Sequence, residues 1–286
     1  MHALIVLAQP EPQSLNGRLA RVAAGQLRAQ GATVEISDLY AQGFDPVEGP
    51  RHYGARNDPG YFDTQGEQRS AHERAATPPA VVAELDKVRR ADLLIFQFPV
   101  WWWGPPAMMK GWFDRIWIYG ATYSSANRFE RGPFRGKKAL LSVTLGASTD
   151  GGSYNGNEGD MLLALWPVLI SLRYVGMTVL PPLLSFAIHG GPAGAKSPEL
   201  AAKKDKAEAA MAERIRTIGS TPELPFNLWE DFDERHRLKP GAPAYTPFVR
   251  HRETLDLGGG WSYDEKRSRS PQAGPAQAGR AQDRSK

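Results

Sequence analysis

The sequence predicts a doubly wound α/β fold with a five-stranded parallel sheet and a C-terminal extension. Two observations support this: short apolar runs recur through the first two-thirds of the 286-residue chain, and helical patterns separate them. Continuous apolar runs are typical of strands covered on both faces, and strands joined by crossover helices form parallel sheets. The strands are expected at 3–8, 33–37, 92–98, 138–144 and 177–180.

The helices are predicted from apolar residues spaced three or four positions apart. Ser14 is a candidate N-cap for the first helix, which we expect to end near Gly31. Gly104-Pro105-Pro106 opens another, with proline in its first turn. Further helices are expected at 79–90, 160–172 and 197–218.

Three segments lack these patterns. Residues 41–78 are polar and long for a loop, and we interpret them as a functional excursion or a partner contact. Residues 221–262 hold aromatic side chains without periodicity, which indicates an extension packed on the domain or on a partner subunit. Residues 263–286 carry six Lys or Arg against three acidic residues, hence +3 of the net charge of +4, and are expected to be a disordered basic tail. The remaining residues, 1–220, are predicted to form the main α/β domain.

Composition excludes several classes of site. The chain has no cysteine, which rules out disulfides and thiolate chemistry and fits a cytoplasmic protein. No apolar run reaches the roughly 20 residues of a membrane span, and the first strand follows no basic leader, so we expect neither stable membrane insertion nor a signal peptide. The six histidines are scattered, so no metal site is predicted. The basic tail is interpreted as solvated, without a nucleic-acid partner.

The loop after the third strand is the most informative part of the chain. It contains Trp101, Trp102 and Trp103. In open α/β sheets, ligands bind beyond the carboxyl ends of the strands, where indole rings offer a flat wall to a planar, electron-poor ring. Packing in the core or in an interface is the alternative for any single tryptophan. Three consecutive side chains cannot all face the same way, so at least one is expected to line a site or a partner surface.

Two further loops could complete a cofactor site. The loop after the first strand lacks both G-x-G-x-x-G and the Walker pattern, but Ser14 and Asn16 at a helix start suit a phosphate ester, or simply cap the helix. After the fourth strand, Gly146 permits close approach of a ligand to the backbone. A loop suited to bind phosphate and an aromatic loop, together with Gly146, predict a site for a flavin nucleotide. We call this site the flavin cradle and the loops after the first, third and fourth strands the cradle loops.

Six segments together resemble one enzyme family. They are 3–8, 37–40, 91–99, 110–115, 132–138 and 159–167. In this order they resemble the NAD(P)H:quinone oxidoreductases, the flavodoxin-like NAD(P)H dehydrogenases, over about residues 3–190. The resemblance implies a homodimer with FAD at two sites between the subunits, with FMN left open as an alternative. It also implies NADH or NADPH as the donor, which leaves before a planar, quinone-like acceptor binds.

The resemblance assigns residues to each part of the site. The implied flavin contacts are Gln9, Ser14, Leu15, Asn16, Val100, Trp101, Trp102, Trp103, Thr144, Leu145, Gly146 and Ala147. Gln9 stands where relatives often have histidine. The implied substrate contacts are Trp102, together with Tyr123 and Ser124 from the partner subunit.

One departure from the family affects catalysis. Mammalian members place a tyrosine and a histidine in the loop after the fourth strand, where this chain has Gly152 and Glu158. Tyr154 lies two residues away, so Tyr154 and Glu158 are the candidate catalytic residues, with a surface or capping carboxylate as the alternative for Glu158. Charge-stabilising donors contribute a few kcal/mol, so their loss would slow hydride transfer.

Two alternatives to a quinone reductase stay open at this stage. One is a flavin-binding regulatory or interaction subunit with weak activity. The other is a preference for azo, nitro or flavin substrates in the same site.

Overall fold

The computed structural model describes residues 1–189, 197–246 and 248–251, and the backbone of 254–258 and 261–264. The backbone divides into two compact units, Met1–Leu224 and a second that begins at Pro225. The predicted basic tail lies outside the described residues from position 265 onward. Its first two residues, 263 and 264, belong to a strand and not to a disordered segment.

A parallel sheet forms the centre of the first unit, in the order β2-β1-β3-β4-β5. Its first four strands are β1 (His2–Leu7), β2 (Thr33–Asp38), β3 (Leu93–Pro99) and β4 (Lys138–Thr144). The chain leaves β1 towards β2 and then returns to the other side for β3, which creates a switch point between β1 and β3. The predicted five-stranded, doubly wound fold is confirmed.

The fifth position of the sheet is interrupted. The single strand predicted at 177–180 is replaced by β5 (Thr178–Val179) and β6 (Leu183–Ser185), and both pair with β4. Pro181 and Pro182 separate them, because proline has no N–H to donate to a neighbouring strand.

Helices cover both faces of the sheet. On one face lie α1 (Leu15–Ala29) and, near the end of this unit, α7 (Pro198–Arg216), which share a core with Ile5, Ile95 and Leu140. The opposite face is covered by α3 (Pro79–Arg90) and α4 (Ala107–Ile116), where Trp112 packs edge-on against Phe96. Alternate residues of each strand thus serve opposite cores, which explains the continuous apolar runs.

A buried carboxylate fixes α3 and α4 in place. Glu84 accepts a hydrogen bond from Trp112 Nε1 at 2.9 Å, and from Lys87 Nζ at 2.6 Å and Ser37 Oγ at 3.0 Å. A buried charge is costly unless paired and hydrogen-bonded, and this one is both.

Other elements differ from the sequence prediction. The segment 41–78, interpreted as a polar excursion, contains α2 (Thr64–Glu73), whose buried face includes Glu67 and Gln68 and so shows no apolar period. The helix predicted at 160–172 is divided into α5 (Met161–Ala164) and α6 (Trp166–Tyr174).

The second unit contains a pair of strands that the sequence pattern did not reveal. They are β7 (Thr254–Gly258) and β8 (Trp261–Asp264), which pair antiparallel.

Two helical glycines should respond oppositely to alanine. A Cβ at Gly111 would lie 2.1 Å from the carbonyl oxygen of Pro46, whereas a Cβ at Gly25 meets nothing within 4 Å. We expect Gly111→Ala to lower the free energy of unfolding by about 1–3 kcal/mol. Gly25→Ala should raise it by about 0.5–1 kcal/mol. Urea denaturation measures both, and equal effects would contradict the close approach at Gly111.

Candidate functional site

The three tryptophans form a two-residue turn beyond β3. Trp101 N donates to the carbonyl of Gly104 at 2.9 Å, and Gly104 N donates back to that of Trp101 at 3.1 Å. Trp102 and Trp103, the central residues, have φ of +50° and +60°. These values match a type I′ turn, which favours Asn-Gly. A left-handed backbone costs about 1–3 kcal/mol for each such residue, and strain of this kind clusters at functional sites.

The same turn holds its indoles outside the core. Trp101, Trp102 and Trp103 are 44%, 91% and 52% exposed. The rings of Trp102 and Trp103 are tilted, with centroids 6.4 Å apart. Core packing, the alternative considered for a tryptophan in this loop, is therefore wrong for all three, and the turn presents an aromatic wall at the carboxyl end of the sheet.

The loop after β1 leads into the N-terminus of α1. Ser14 Oγ accepts a hydrogen bond from Gly17 N at 3.2 Å, which confirms the cap. The hydroxyl proton remains available to donate to an anion, and the helix dipole favours negative charge here. Gly17 is required for the loop's shape, because a Cβ there would lie 2.2 Å from the carbonyl oxygen of Pro12. Gln9 is half-buried in this loop and Leu15 is buried.

Asn16 has a different position from the one predicted. Its side chain is 3% exposed and bridges two strands: Asn16 Nδ2 donates to Thr144 Oγ1 at 2.8 Å, and Gln97 Nε2 donates to Asn16 Oδ1 at 2.7 Å. The side-chain amide, predicted as a phosphate contact, thus braces α1 against β3 and β4. Gln97 was missed, although a single polar residue in an apolar strand was a visible signal.

The loop after β4 presents backbone to the same crevice. Thr144, Leu145 and Ala147 are buried, and Gly146 is exposed, with His189 Nδ1 3.8 Å from where its Cβ would be. Val100 N donates to the carbonyl of Thr144 at 2.8 Å, so the loops after β3 and β4 start together. The exposed indoles, the exposed Gly146 backbone and Ser14 at a helix N-terminus are groups of the kinds that hold the ring and the phosphate of a flavin nucleotide.

The structure accounts for Gly152, the position at which the resemblance implies a departure from the family. A Cβ at Gly152 would lie 2.9 Å from both Met161 Cγ and Phe186 Cε1. A side chain does not fit there unless its neighbours move. The departure is therefore part of the packing in this loop.

The two candidate catalytic residues lie at the surface. Tyr154 is 83% exposed, and Glu158 is also exposed. The Glu158 main chain has a clear partner, because its carbonyl oxygen accepts from Trp103 Nε1 at 2.8 Å.

Tyr123 lines a cavity elsewhere on the chain. Its volume is about 700 Å³, and its walls include Phe113, Trp117, Tyr174 and Gln65, but no residue of the three cradle loops. Gln65 Nε2 donates to the Tyr123 hydroxyl at 3.1 Å. Burial raises the pKa of Tyr123 above its usual value, and Tyr174 adds to the effect.

Ser124 belongs to a turn of its own and not to this lining, since its Oγ accepts from Asn127 N at 3.0 Å.

In the described residues, no helix is both long and apolar enough to cross a bilayer. In the same part of the chain, no three histidine or acidic side chains are grouped so that they could hold a metal ion.

Comparison with known proteins identifies the family. A family model described as the flavodoxin-like fold matches residues 1–211. The chain is 40% identical over 208 residues to NAD(P)H dehydrogenase [quinone] 1 of Cavia porcellus, covering 72% of this chain and 76% of the relative. The chain belongs to the flavodoxin-like NAD(P)H:quinone oxidoreductase family.

In two other comparisons, the match covers a larger share of the relative's own length. Human ribosyldihydronicotinamide dehydrogenase [quinone] is 36% identical over 226 residues, which are 78% of this chain and 94% of the human protein. A Klebsiella pneumoniae structure, provisionally assigned as a quinone reductase, has a TM-score of 0.76 and 33% identity, and covers 84% of this chain and 94% of its own.

The bridging role of Asn16 can be tested by its loss. Asn16→Ala would leave the Gln97 amide and the Thr144 hydroxyl without this buried partner, at a cost of about 2–4 kcal/mol in unfolding free energy. Asn127→Ala, the same change at an exposed residue, should stay within about 0.5 kcal/mol. The measurement is urea denaturation of the flavin-free protein; a small effect at Asn16 would show that its amide is not a brace.

A second pair of variants tests the packing at Gly152. Gly152→Ala should lower the free energy of unfolding by about 1–3 kcal/mol, because Met161 and Phe186 must shift. Gly146→Ala, in the same loop but with open space, should be nearly neutral in the flavin-free protein. Thermal or urea unfolding distinguishes them, and matching curves would argue against the close contacts.

Proposed function

We propose that this protein is a flavin-dependent NAD(P)H dehydrogenase that reduces quinones or similar planar acceptors by two electrons. The observation that supports this most directly is the strained turn of exposed tryptophans, which begins beside the Gly146 loop at the carboxyl ends of β3 and β4. The named activities of the family's quinone dehydrogenases agree with it.

In this proposal each loop has one task. The N-terminus of α1 and Ser14 bind a phosphate group. Trp101 and Trp102 exclude water from one side of the ring system and stack against a flat acceptor. A bound flavin would supply hydride transfer between NAD(P)H and a quinone, so that one hydride and one proton convert the quinone to hydroquinone and NAD(P)⁺ is left.

Stabilisation of charge would then depend on the backbone. Gly152 and an exposed Glu158 replace the tyrosine and histidine of the mammalian members, so hydride transfer should be slower here than in those members. FAD is the proposed flavin and either NADH or NADPH the donor. The chain has no cysteine and therefore no disulfide that a reducing compartment would break, and the cytoplasm is its proposed location.

We further propose a homodimer whose sites use both subunits. The cavity beside Tyr123 shares no lining residue with the cradle loops of its own chain. Its aromatic walls suit the acceptor side of a partner's cradle. Tyr123 would then act across the interface.

A regulatory or interaction subunit is the second candidate. The exposure of Tyr154 and Glu158 favours it, because weak catalysis is what such a subunit would show. Turnover comparable with that of the mammalian members would exclude it.

Activity and stacking are tested together. Purified protein supplied with flavin should turn yellow and oxidise NADH or NADPH with a benzoquinone; mass spectrometry of the released cofactor distinguishes FAD from FMN. Trp102→Ala should raise the KM for the acceptor roughly 3- to 10-fold, through loss of an aromatic contact. Tyr61→Ala removes an exposed aromatic that belongs to none of the three cradle loops and should leave KM unchanged. A protein that stays colourless and inactive would refute the proposal.

If each site is formed by both subunits, two chains that are impaired in different parts of the site should complement one another. Gly146→Trp should block the cradle, and Tyr123→Ala should weaken the acceptor side. When the two variants are unfolded and refolded together, mixed dimers regain one intact site, with up to half of the wild-type activity for each mixed dimer. If both functions reside in one chain, the mixture will show no gain over its separate components.

A further inference from the structure

One side-chain hydrogen bond joins the outer parts of two cradle loops. The indole nitrogen of Trp103 donates to the carbonyl oxygen of Glu158, with an N···O distance of 2.8 Å. Trp103 has a φ of +60°, a left-handed conformation that bulky residues rarely adopt. This backbone directs the indole of Trp103 to Glu158. Trp102 shares the left-handed conformation, but its side chain is 91% exposed.

Backbone hydrogen bonds shape the loop that accepts this bond, residues 148–159. Gly152 N donates to the carbonyl of Ser148 at 2.9 Å, Glu158 N to that of Gly151 at 3.0 Å, and Met161 N to that of Gly152 at 3.1 Å. The first two bonds lie within residues 148–159, and the third joins Gly152 to the start of α5. None of the three reaches the tryptophan turn, so they do not fix the position of the loop over that turn. A bond from outside the loop is needed for that.

We propose that Trp103 is a positioning residue whose indole N–H locks residues 148–159 onto the Trp101–Gly104 turn, and so controls how often the flavin cradle opens. The lock itself is a property of the protein without cofactor. Its effect on flavin rests on the function proposed above. Opening the cradle breaks the bond, so losing the bond favours the open state. The net strength of one hydrogen bond corresponds to a roughly two- to tenfold change in that equilibrium.

A matched pair of variants isolates the N–H group. Trp103→Phe keeps an aromatic ring and removes the donor, and Trp102→Phe makes the same change at the neighbouring left-handed position. In the flavin-free protein, hydrogen exchange of the Gly152, Glu158 and Met161 amides should be roughly two- to tenfold faster in Trp103→Phe. Trp102→Phe should exchange at wild-type rates. The proposal is overturned if Trp103→Phe also exchanges at wild-type rates, or if both variants accelerate equally.

The flavin-loaded protein supplies an independent readout. If flavin leaves only after the loop opens, its dissociation rate, followed by the return of free-flavin fluorescence, should rise in Trp103→Phe by the same factor as the exchange rates. Faster exchange with unchanged release would overturn the control of the cradle by this bond. A protein that never takes up flavin would refute the proposed function, and the exchange measurement would still decide on the lock.

Discussion

The site depends on the common level at which β3 and β4 end. Their register pairs Pro99 with Thr144, so the tryptophan turn and the Gly146 loop begin side by side. Asn16 holds this arrangement, because its amide contacts Gln97 on β3 and Thr144 on β4 from the first turn of α1. The loops after β3 and β4 begin shortly beyond Gln97 and Thr144, and the loop after β1 leads into the helix turn that carries Asn16. A single buried amide thereby aligns all three loops.

Above that rigid base, the outer loops use conformations that sequence rules disfavour. Two consecutive left-handed tryptophans cost free energy, and Gly152 is packed so closely that a Cβ would meet Met161 and Phe186. Natural sequences violate local rules chiefly at functional sites, where the surrounding fold offsets the cost. The strain therefore marks the same region that the loop chemistry indicates, and it does so independently of any comparison with relatives.

The fold could be predicted because strands covered on both faces leave long apolar runs. β1, β3 and β4 were recognisable on this basis. The cap at Ser14 was recognisable from its residue type at the start of a helical pattern. By contrast, α2 buries Glu67 and Gln68, so the signal on which helix prediction depends was missing.

The site was only partly readable for similar reasons. The cradle loops follow from strand order, whereas the direction of the Asn16 amide depends on Gln97, a contact 81 residues along the chain. Exposure of all three indoles follows from backbone angles at Trp102 and Trp103 that composition does not encode.

The interrupted fifth position of the sheet has a consequence for solubility. A long, regular border strand would offer a row of free amides on which another polypeptide could extend the sheet. Here the border consists of segments of two and three residues, with Pro181 and Pro182 between them. Such a border cannot template continuous pairing, so the protein is guarded against edge-to-edge aggregation on that side.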